Sequence, residues 1–371
     1  MTSTLFSPLA LRRLTLPNRI VVSPMCQYSA VDGAATHWHL VHLGQLALGG
    51  AGLLMVEATA VEPRGRITPG CLGLWDDATE AALASVVRAI RQHSRIPLGI
   101  QLAHAGRKGS SYEPWNGGSL IGLADGGWEP VAPSAIAITS DEPPPRTLAE
   151  NELPRLVAAF AEAARRAARI GFDAIELHCA HGYLLHEFLS PIANRRDDDY
   201  GGSLANRMRL PLEVFEAVRA GWPEDRPLGV RVSATDWVEG GWAIDDTVAF
   251  ARELKARGCD WIDCSSGGVS PAQKIPVGPG YQVAFAERIR AEAGIATMAV
   301  GLITEPQQAE DIVASGKADM VALARGMLWN PHWAWHAAAT LGAQVEAPRQ
   351  YWRAPPRGAA GVFGKITQGQ R

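Results

Sequence analysis

Three observations on the 371-residue sequence predict an α/β fold, a (β/α)8 barrel. Eight short apolar runs recur along the chain. Stretches with the ~3.6-residue period of an amphipathic helix lie between them. No GxGxxG follows the first run, so the runner-up, a doubly wound nucleotide-binding sheet, lacks its usual signature.

The runs are Ile20–Ser23, Leu53–Glu57, Leu98–Leu102, Ala174–His178, Leu228–Ser233, Trp261–Ser265, Thr297–Val300 and Met320–Leu323. Nearly continuous apolar strands alternating with helices mean a parallel sheet covered on both faces. The clearest helix carries Leu153, Leu156, Val157, Phe160, Ala164 and Ala167. Pro154 is tolerable there only in the first turn, and Gly171 is a stop. Further helices are expected at about 77–94, 205–220, 244–257, 281–293 and 305–315. One barrel domain is therefore expected over residues 1–341, with three departures from a plain barrel. Residues 1–18 alternate polar and apolar around Pro8 and Pro17, as a hairpin closing the barrel floor would. Residues 109–147, after the third strand, are Gly-, Pro- and Ser-rich and too long for an ordinary βα loop, which marks a lid or binding loop. Residues 342–371 form a C-terminal extension with Pro348, Pro355, Pro356 and several arginines.

Composition narrows the function classes. The formal net charge is −3 without a basic cluster, which argues against nucleic acid as the main partner. The five cysteines (26, 71, 179, 259, 264) are odd in number and form no CxxC, as expected of a reduced, cytoplasmic protein without structural disulfides. Met1 to Arg12 lacks an apolar signal core, and no apolar run approaches ~18 residues, so neither export nor a membrane span is expected.

Barrel sites are built where the strands end. The fourth strand ends in His178-Cys-Ala-His181-Gly-Tyr183. Two imidazoles can each donate a hydrogen bond to one oxygen, and a nearby tyrosine can supply a proton to the adjacent carbon. The competing readings are zinc ligation, for which Glu176 and Glu187 have no obvious ligand spacing, and core histidines satisfied by backbone. Glycines after strands seven and eight, Gly301 and Gly326, with Arg325 beside the latter, suit the phosphate site usual in this fold. The bland alternative is tight turns and a surface ion pair. Arg231 and Gln101 interrupt apolar strands. They can face an electron-rich heterocycle such as a flavin, or Arg231 can pair internally with Glu57 or Asp236. His37, His39 and His42 read as capping and packing on an outer helix, Asp197–Asp199 as a solvated run, and Cys71, Cys179, Cys259 and Cys264 as packing. Lys108 sits beside Arg107 in a polar loop, not in the dry strand a Schiff base needs.

Taken together, Ser-Pro-Met-Cys-Gln-Tyr at 23–28, Gln101-Leu-Ala-His-Ala-Gly-Arg-Lys108, His178 to Tyr183, Glu187-Phe-Leu-Ser-Pro191, Asn194 through Asn206, Arg231-Val-Ser233 and the Gly301 and Arg325 loops resemble the Old Yellow Enzyme family. The similarity covers residues 5 to 353, and Cys26 with Tyr28 points to the thermophilic-like ene-reductase and xenobiotic reductase branch. The resemblance implies non-covalent FMN, reduced by NADPH or NADH, that then reduces an electron-poor alkene. It places Ser23, Pro24, Met25, Cys26, Ala58, Gln101 and Arg231 against the flavin, and Gly301, Arg325 and Gly326 on its phosphate. It implies that His178 and His181 bind the substrate's carbonyl or nitro oxygen, that Tyr183 is the proton donor and that Tyr28 contacts substrate. No metal is implied. It also implies a homodimer or dimer of dimers, in which Arg353 of the Tyr351-Trp352-Arg353 segment completes a neighbouring subunit's pocket. The alternative, a disordered basic tail, fits residues 358–371.

Two rivals compete with the ene-reductase reading. One is a metal-dependent barrel hydrolase using His104, His178 and His181. The other is a barrel that binds a phosphorylated ligand without redox chemistry. The physiological alkene and the choice between NADPH and NADH are not written in the sequence.

Overall fold

The computed structural model describes residues 3–364. The chain opens with an antiparallel hairpin, β1 (Leu9–Leu11) and β2 (Leu14–Leu16). Then follow β3 (Ile20–Val22), α1 (His37–Ala47), β4 (Leu53–Ala60), α2 (Asp77–Arg91) and β5 (Leu98–Ala103). The long loop after β5 holds two short paired strands, β6 (Val131–Ala132) and β7 (Arg146–Thr147). The remainder runs α3 (Leu153–Ile170), β8 (Ala174–Cys179), α4 (Leu184–Leu189), α5 (Leu204–Gly221), β9 (Leu228–Ser233), α6 (Ile244–Ala256), β10 (Trp261–Ser265), α7 (Val283–Ala293), β11 (Ala296–Val300), α8 (Pro306–Ala314), β12 (Met320–Leu323), α9 (Arg325–Trp329) and α10 (Trp333–Leu341).

Strands β3, β4, β5, β8, β9, β10, β11 and β12 pair in that order, and β12 closes onto β3. These are the eight predicted runs, with ends moved by a few residues. The barrel is the predicted (β/α)8 fold. α3 behaves as its sequence requires: Pro154 lies in the first turn, and Gly171 caps the C-terminus at φ 94°.

The apolar residues divide into two layers. Side chains between the strand ring and the helices form the large outer core, including Ile175, Leu177, Phe160, Val214 and Phe215. A smaller cluster fills the bottom of the ring: Val21, Leu53, Met55, Ala174, Trp261, Met298 and Met320. Leu11 and Leu16 of the hairpin belong to that cluster, so the hairpin closes the floor as expected. Trp261 fits because its cross-strand neighbour is Gly229, where a Cβ would stand 2.0 Å from the indole. With the floor sealed by apolar groups, the polar inward residues gather at the opposite, C-terminal end of the strands.

The C-terminal extension folds back on α10. Val345 N–H donates to Val362 C=O (2.8 Å), and Val345 and Val362 are buried against Trp335. Val362 and Phe363 therefore anchor this stretch on α10, which corrects the free-tail alternative for residues 362–363; residues 365–371 lie outside the described residues. Among the described residues no helix is long and apolar enough to cross a membrane.

Candidate active site

The turn leaving β8 is held unusually close to the turn leaving β10. A Cβ on Gly182 would meet Gly268 O at 2.3 Å, and one on Gly268 would meet His181 Cα at 2.6 Å. Both glycines have positive φ, and His181 itself is left-handed at φ 60°. A non-glycine residue there is strained, and such strain persists only when the surroundings enforce it. Four hydrogen bonds do so. His181 N–H donates to Ser233 Oγ (2.9 Å), and the Ser233 hydroxyl donates to Gly267 O (2.8 Å). The Lys108 ammonium donates to His181 O (2.7 Å) and to Gly268 O, tying the two turns together. Lys108 also lies 5.6 Å from the centre of the Tyr183 ring, and burial lowers its pKa to about 8. It is thus part of the site's frame rather than a loop residue to be set aside.

The two imidazoles and the phenol form one cluster. Ala180 N–H donates to His178 Nδ1 (3.2 Å), so the ring proton of His178 is on Nε2. His178 Nε2 and His181 Nδ1 are 3.3 Å apart, and His181 Nε2 is 2.6 Å from Ser265 Oγ. Burial, then the positive charge of Arg231, holds both histidines well below their ordinary pKa. Each is therefore neutral with one N–H. Tyr183 stands edge-on to both rings, with centroids 4.8 Å from His178 and 6.5 Å from His181. Burial raises its phenol well above the ordinary value.

Below this cluster lies a dry polar layer. Gln101 Nε2 donates to Glu176 Oε1 (2.8 Å), and Trp261 Nε1 donates to Glu176 Oε2 (3.2 Å). Arg231 Nε is 3.3 Å from Asp263 Oδ2. The two partners offered for Arg231 from sequence are engaged elsewhere. Glu57 accepts Gln27 N–H (2.9 Å) and faces His39 (3.5 Å), while Asp236 faces His186 (2.9 Å). Burial pushes Glu176 up to about 8, helped by the charge of Asp263, and burial raises Asp263 as well. Among the described residues Ser23 Oγ, Arg231 Nε and both Asp263 carboxyl oxygens are buried without a hydrogen-bond partner. Unsatisfied buried polar groups of both signs call for a polar ligand, and a flavin ring offers matching donors and acceptors.

The remaining predicted residues lie on the segments that leave β3, β11 and β12, in β4, and on the C-terminal extension. Pro24, Met25 and Cys26 leave β3, and Tyr28 follows at φ 51°. Ala58 sits at a β-bulge in β4, paired with Gln101. The Cys26 thiol is raised by its hydrogen bond to the Cys71 thiol and by burial, so Cys71 is a neighbour of the site and not only packing. Gly301 (φ 118°) and the Arg325–Gly326 step follow two paired strands, β11 and β12. A Cβ at Gly301 would meet Gln282 Nε2 at 2.6 Å. The Gln282 and Tyr281 side chains take up the space beside Gly301, whereas a Cβ at Gly326 would meet nothing nearer than Leu323 Cδ2 at 3.5 Å. Arg353 is exposed, just past the turn Arg349–Tyr351, whose Tyr351 ring lies 5.6 Å from that of Trp335.

The hydrolase rival fails on geometry. His104 Nε2 lies 3.0 Å from Glu62, and His104 Nδ1 accepts Gly106 N–H, so it is not a third ligand with His178 and His181. Among the described residues no group of three or more His, Cys, Asp or Glu side chains is placed to hold a metal. Sequence reasoning missed Asp263, Ser265 and Lys108. The first two alternate with Trp261 along one strand and so share its inward face, a signal present in the sequence.

Comparison with known proteins agrees. Residues 4–344 match the model of the NADH:flavin oxidoreductase / NADH oxidase family. An NADPH dehydrogenase of Geobacillus thermodenitrificans is 48% identical over 355 residues, covering 95% of this chain and 99% of the relative. Morphinone reductase, solved in complex with tetrahydroNAD, superposes with a TM-score of 0.73 at 30% identity, covering 96% of this chain and 93% of that one. An old yellow enzyme homologue from Zymomonas mobilis gives 0.74 at 25% identity, covering 98% and 100%. The chain belongs to the NADH:flavin oxidoreductase / NADH oxidase family, the Old Yellow Enzyme family, as an oxidoreductase with FMN as cofactor and a nicotinamide nucleotide as reductant.

Proposed function

We propose that the protein reduces activated C=C bonds, those of α,β-unsaturated carbonyl or nitro compounds, at the expense of NADPH or NADH. The observation that carries this reading is the pair of neutral imidazoles, with nitrogens 3.3 Å apart, beside a protonated phenol. Bound FMN supplies the hydride that the substrate's Cβ receives. His178 Nε2–H and His181 Nδ1–H then converge on the substrate oxygen as negative charge develops there. One such donor is typically worth ~2.7–4 kcal/mol. His181 offers Nδ1–H only when Nε2 accepts a hydrogen bond, and the Ser265 hydroxyl is placed to donate it. Tyr183 stays protonated at neutral pH and delivers its proton to Cα. Ser23, Pro24, Met25, Cys26, Ala58, Gln101 and Arg231 would hold the flavin ring, and Arg231 would balance negative charge on it. Gly301, Arg325 and Gly326 would hold the phosphate, and Tyr28 would line the substrate side. Arg353 is assigned to the pocket of a second copy in a homodimer or dimer of dimers. Five free cysteines fit a cytoplasmic protein.

The test is a visible spectrum of purified protein. An absorbance band near ~450 nm should bleach with anaerobic NADPH and return with 2-cyclohexenone. Tyr183→Phe should still bleach but recover slowly with the enone. A colourless protein that takes up no added FMN would overturn the reading.

A further inference from the structure

We propose that Trp115, at the tip of the long loop after β5, forms with Tyr28 an aromatic gate at the mouth of the site, selective for planar, aryl-bearing activated alkenes. The proposal rests on the reading of the site given above and names its substrate class.

The indole of Trp115 is 68% exposed, yet its ring meets Tyr28 edge-on, with centroids 5.6 Å apart and planes at 79°. That is the preferred T-shaped geometry of an aromatic pair, and at this exposure much of the indole stays uncovered. A large apolar ring held in water at a loop tip gains little from Tyr28 alone; an open face beside a catalytic cavity gains when a flat ligand covers it.

The loop holds Trp115 in place. At its base the Ser110 hydroxyl donates to Ile121 O (3.0 Å) and accepts Trp128 N–H (2.9 Å). Trp128 Nε1 donates to Arg64 O (3.0 Å), and the Arg66 guanidinium lies 5.0 Å from the Trp128 ring and 5.5 Å from that of Trp75. Ser111 N–H donates to Ile67 O (2.8 Å). Nearer the tip, Tyr112 N–H donates to Ser119 O (2.9 Å), and Pro114–Asn116 make a single turn with Trp115 at its centre. Tyr28 is fixed from the other side. Its left-handed backbone abuts Gly70, where a Cβ would stand 2.5 Å from Tyr28 O, and Ala30 N–H donates to Gly70 O (2.8 Å). The Tyr28 phenol is close enough to that of Tyr183 to act on its ionisation. The Tyr28–Trp115 pair thus forms an aromatic wall on the segment that leaves β3, two residues beyond Cys26. A substrate whose oxygen is held by His178 and His181 and whose alkene carries an aryl group can lay that group along the wall. A small cyclic enone carries nothing to stack there.

The experiment uses the FMN-loaded enzyme and its Trp115→Ala and Trp115→Phe variants. KM and kcat are measured for trans-β-nitrostyrene and for 2-cyclohexenone. Calorimetry gives the Kd of 4-phenyl-2-butanone, an aryl ketone without a reducible alkene. An aromatic contact of this kind is worth about threefold to tenfold in affinity. In Trp115→Ala the ratio of nitrostyrene KM to cyclohexenone KM should rise by about that factor with kcat for nitrostyrene retained, the Kd should rise alike, and Trp115→Phe should recover most of both. An unchanged ratio and Kd would overturn the gate. Failure of the wild type to reduce either alkene would instead overturn the ene-reductase reading, and the calorimetric Kd would still decide the gate.

Discussion

Ser265 is a hydroxyl with a defined task, and its removal tests the logic of the two-histidine site. Ser265 Oγ stands 2.6 Å from His181 Nε2 and is buried. His178 needs no such help, because Ala180 N–H already occupies its Nδ1. Among the described residues His181 has no backbone donor on Nε2; on the reading proposed above, the Ser265 hydroxyl donates there and selects the tautomer whose Nδ1–H turns from His178 toward the substrate oxygen. Ser265→Ala removes one neutral hydrogen bond, worth ~0.5–1.5 kcal/mol. The ratio of the productive to the unproductive tautomer should then fall by about twofold to twelvefold, and kcat/KM for 2-cyclohexenone should fall by no more than about that factor. Losing the donor altogether, as in His181→Ala, should cost about 10²–10³-fold. Steady-state rates under anaerobic conditions give the first number. ¹⁵N chemical shifts of the His181 ring give the tautomer directly, with Nδ1 protonated in the wild type and mixed in the variant. If the wild-type ring carries its proton on Nε2, Ser265 is an acceptor and the donor role assigned to His181 Nδ1 is wrong. If Ser265→Ala matches His181→Ala in severity with an unchanged tautomer, the serine holds the turn rather than the proton.

Lys108→Met removes the ammonium that bridges His181 O and Gly268 O; we expect about 2–4 kcal/mol lost from the unfolding free energy in urea and a fall in kcat, and a loss under about 0.5 kcal/mol would show that the bridge contributes little. Glu176, raised to about 8, keeps a proton in the fold that the unfolded chain releases near ~4.3. Its stabilising contribution is full below the unfolded value and is lost as pH rises through about 8. Glu176→Gln should therefore flatten the decline in urea midpoint between about pH 5 and about 8. Its cost near neutrality should be small, because the introduced amide oxygen can still accept Trp261 Nε1–H while Gln101 turns its own amide oxygen toward the introduced NH2 group. An unchanged decline over that range would place that titration elsewhere.

How much of this could be read from the chain depends on whether a contact follows strand geometry. The eight strands, the floor hairpin and the inward faces of Gln101, His178 and Arg231 follow from apolar runs and a two-residue alternation. The alternative that pairs Arg231 with Asp236 or Glu57 does not hold, and the barrel's own rules point to Asp263 instead. Sequential strands are neighbours here, and residues equally far from their strand ends stand side by side. Arg231 lies two positions before Ser233 and Asp263 two before Ser265, and the register pairs them directly. Asp236 lies beyond the strand end, where the chain turns away to meet His186 and Ser190.

Lys108 follows no such rule. Its bond to Gly268 O joins residues 160 positions apart across the barrel mouth, from the loop after β5 to the loop after β10. That meeting depends on Gly182 and Gly268 letting two turns approach to within van der Waals contact, and glycines of that kind look from sequence like any other turn glycines. The same holds for Trp115, whose approach to Tyr28 is set by how Ser110 and Trp128 close the base of its loop. Strand periodicity therefore reveals the residues that can hold a flavin and a substrate oxygen. The residues that clamp a turn, or that the proposed gate would use to choose among substrates, come from loops, where contacts are made by close approach rather than by repeat, and these become legible only once the turns are seen together.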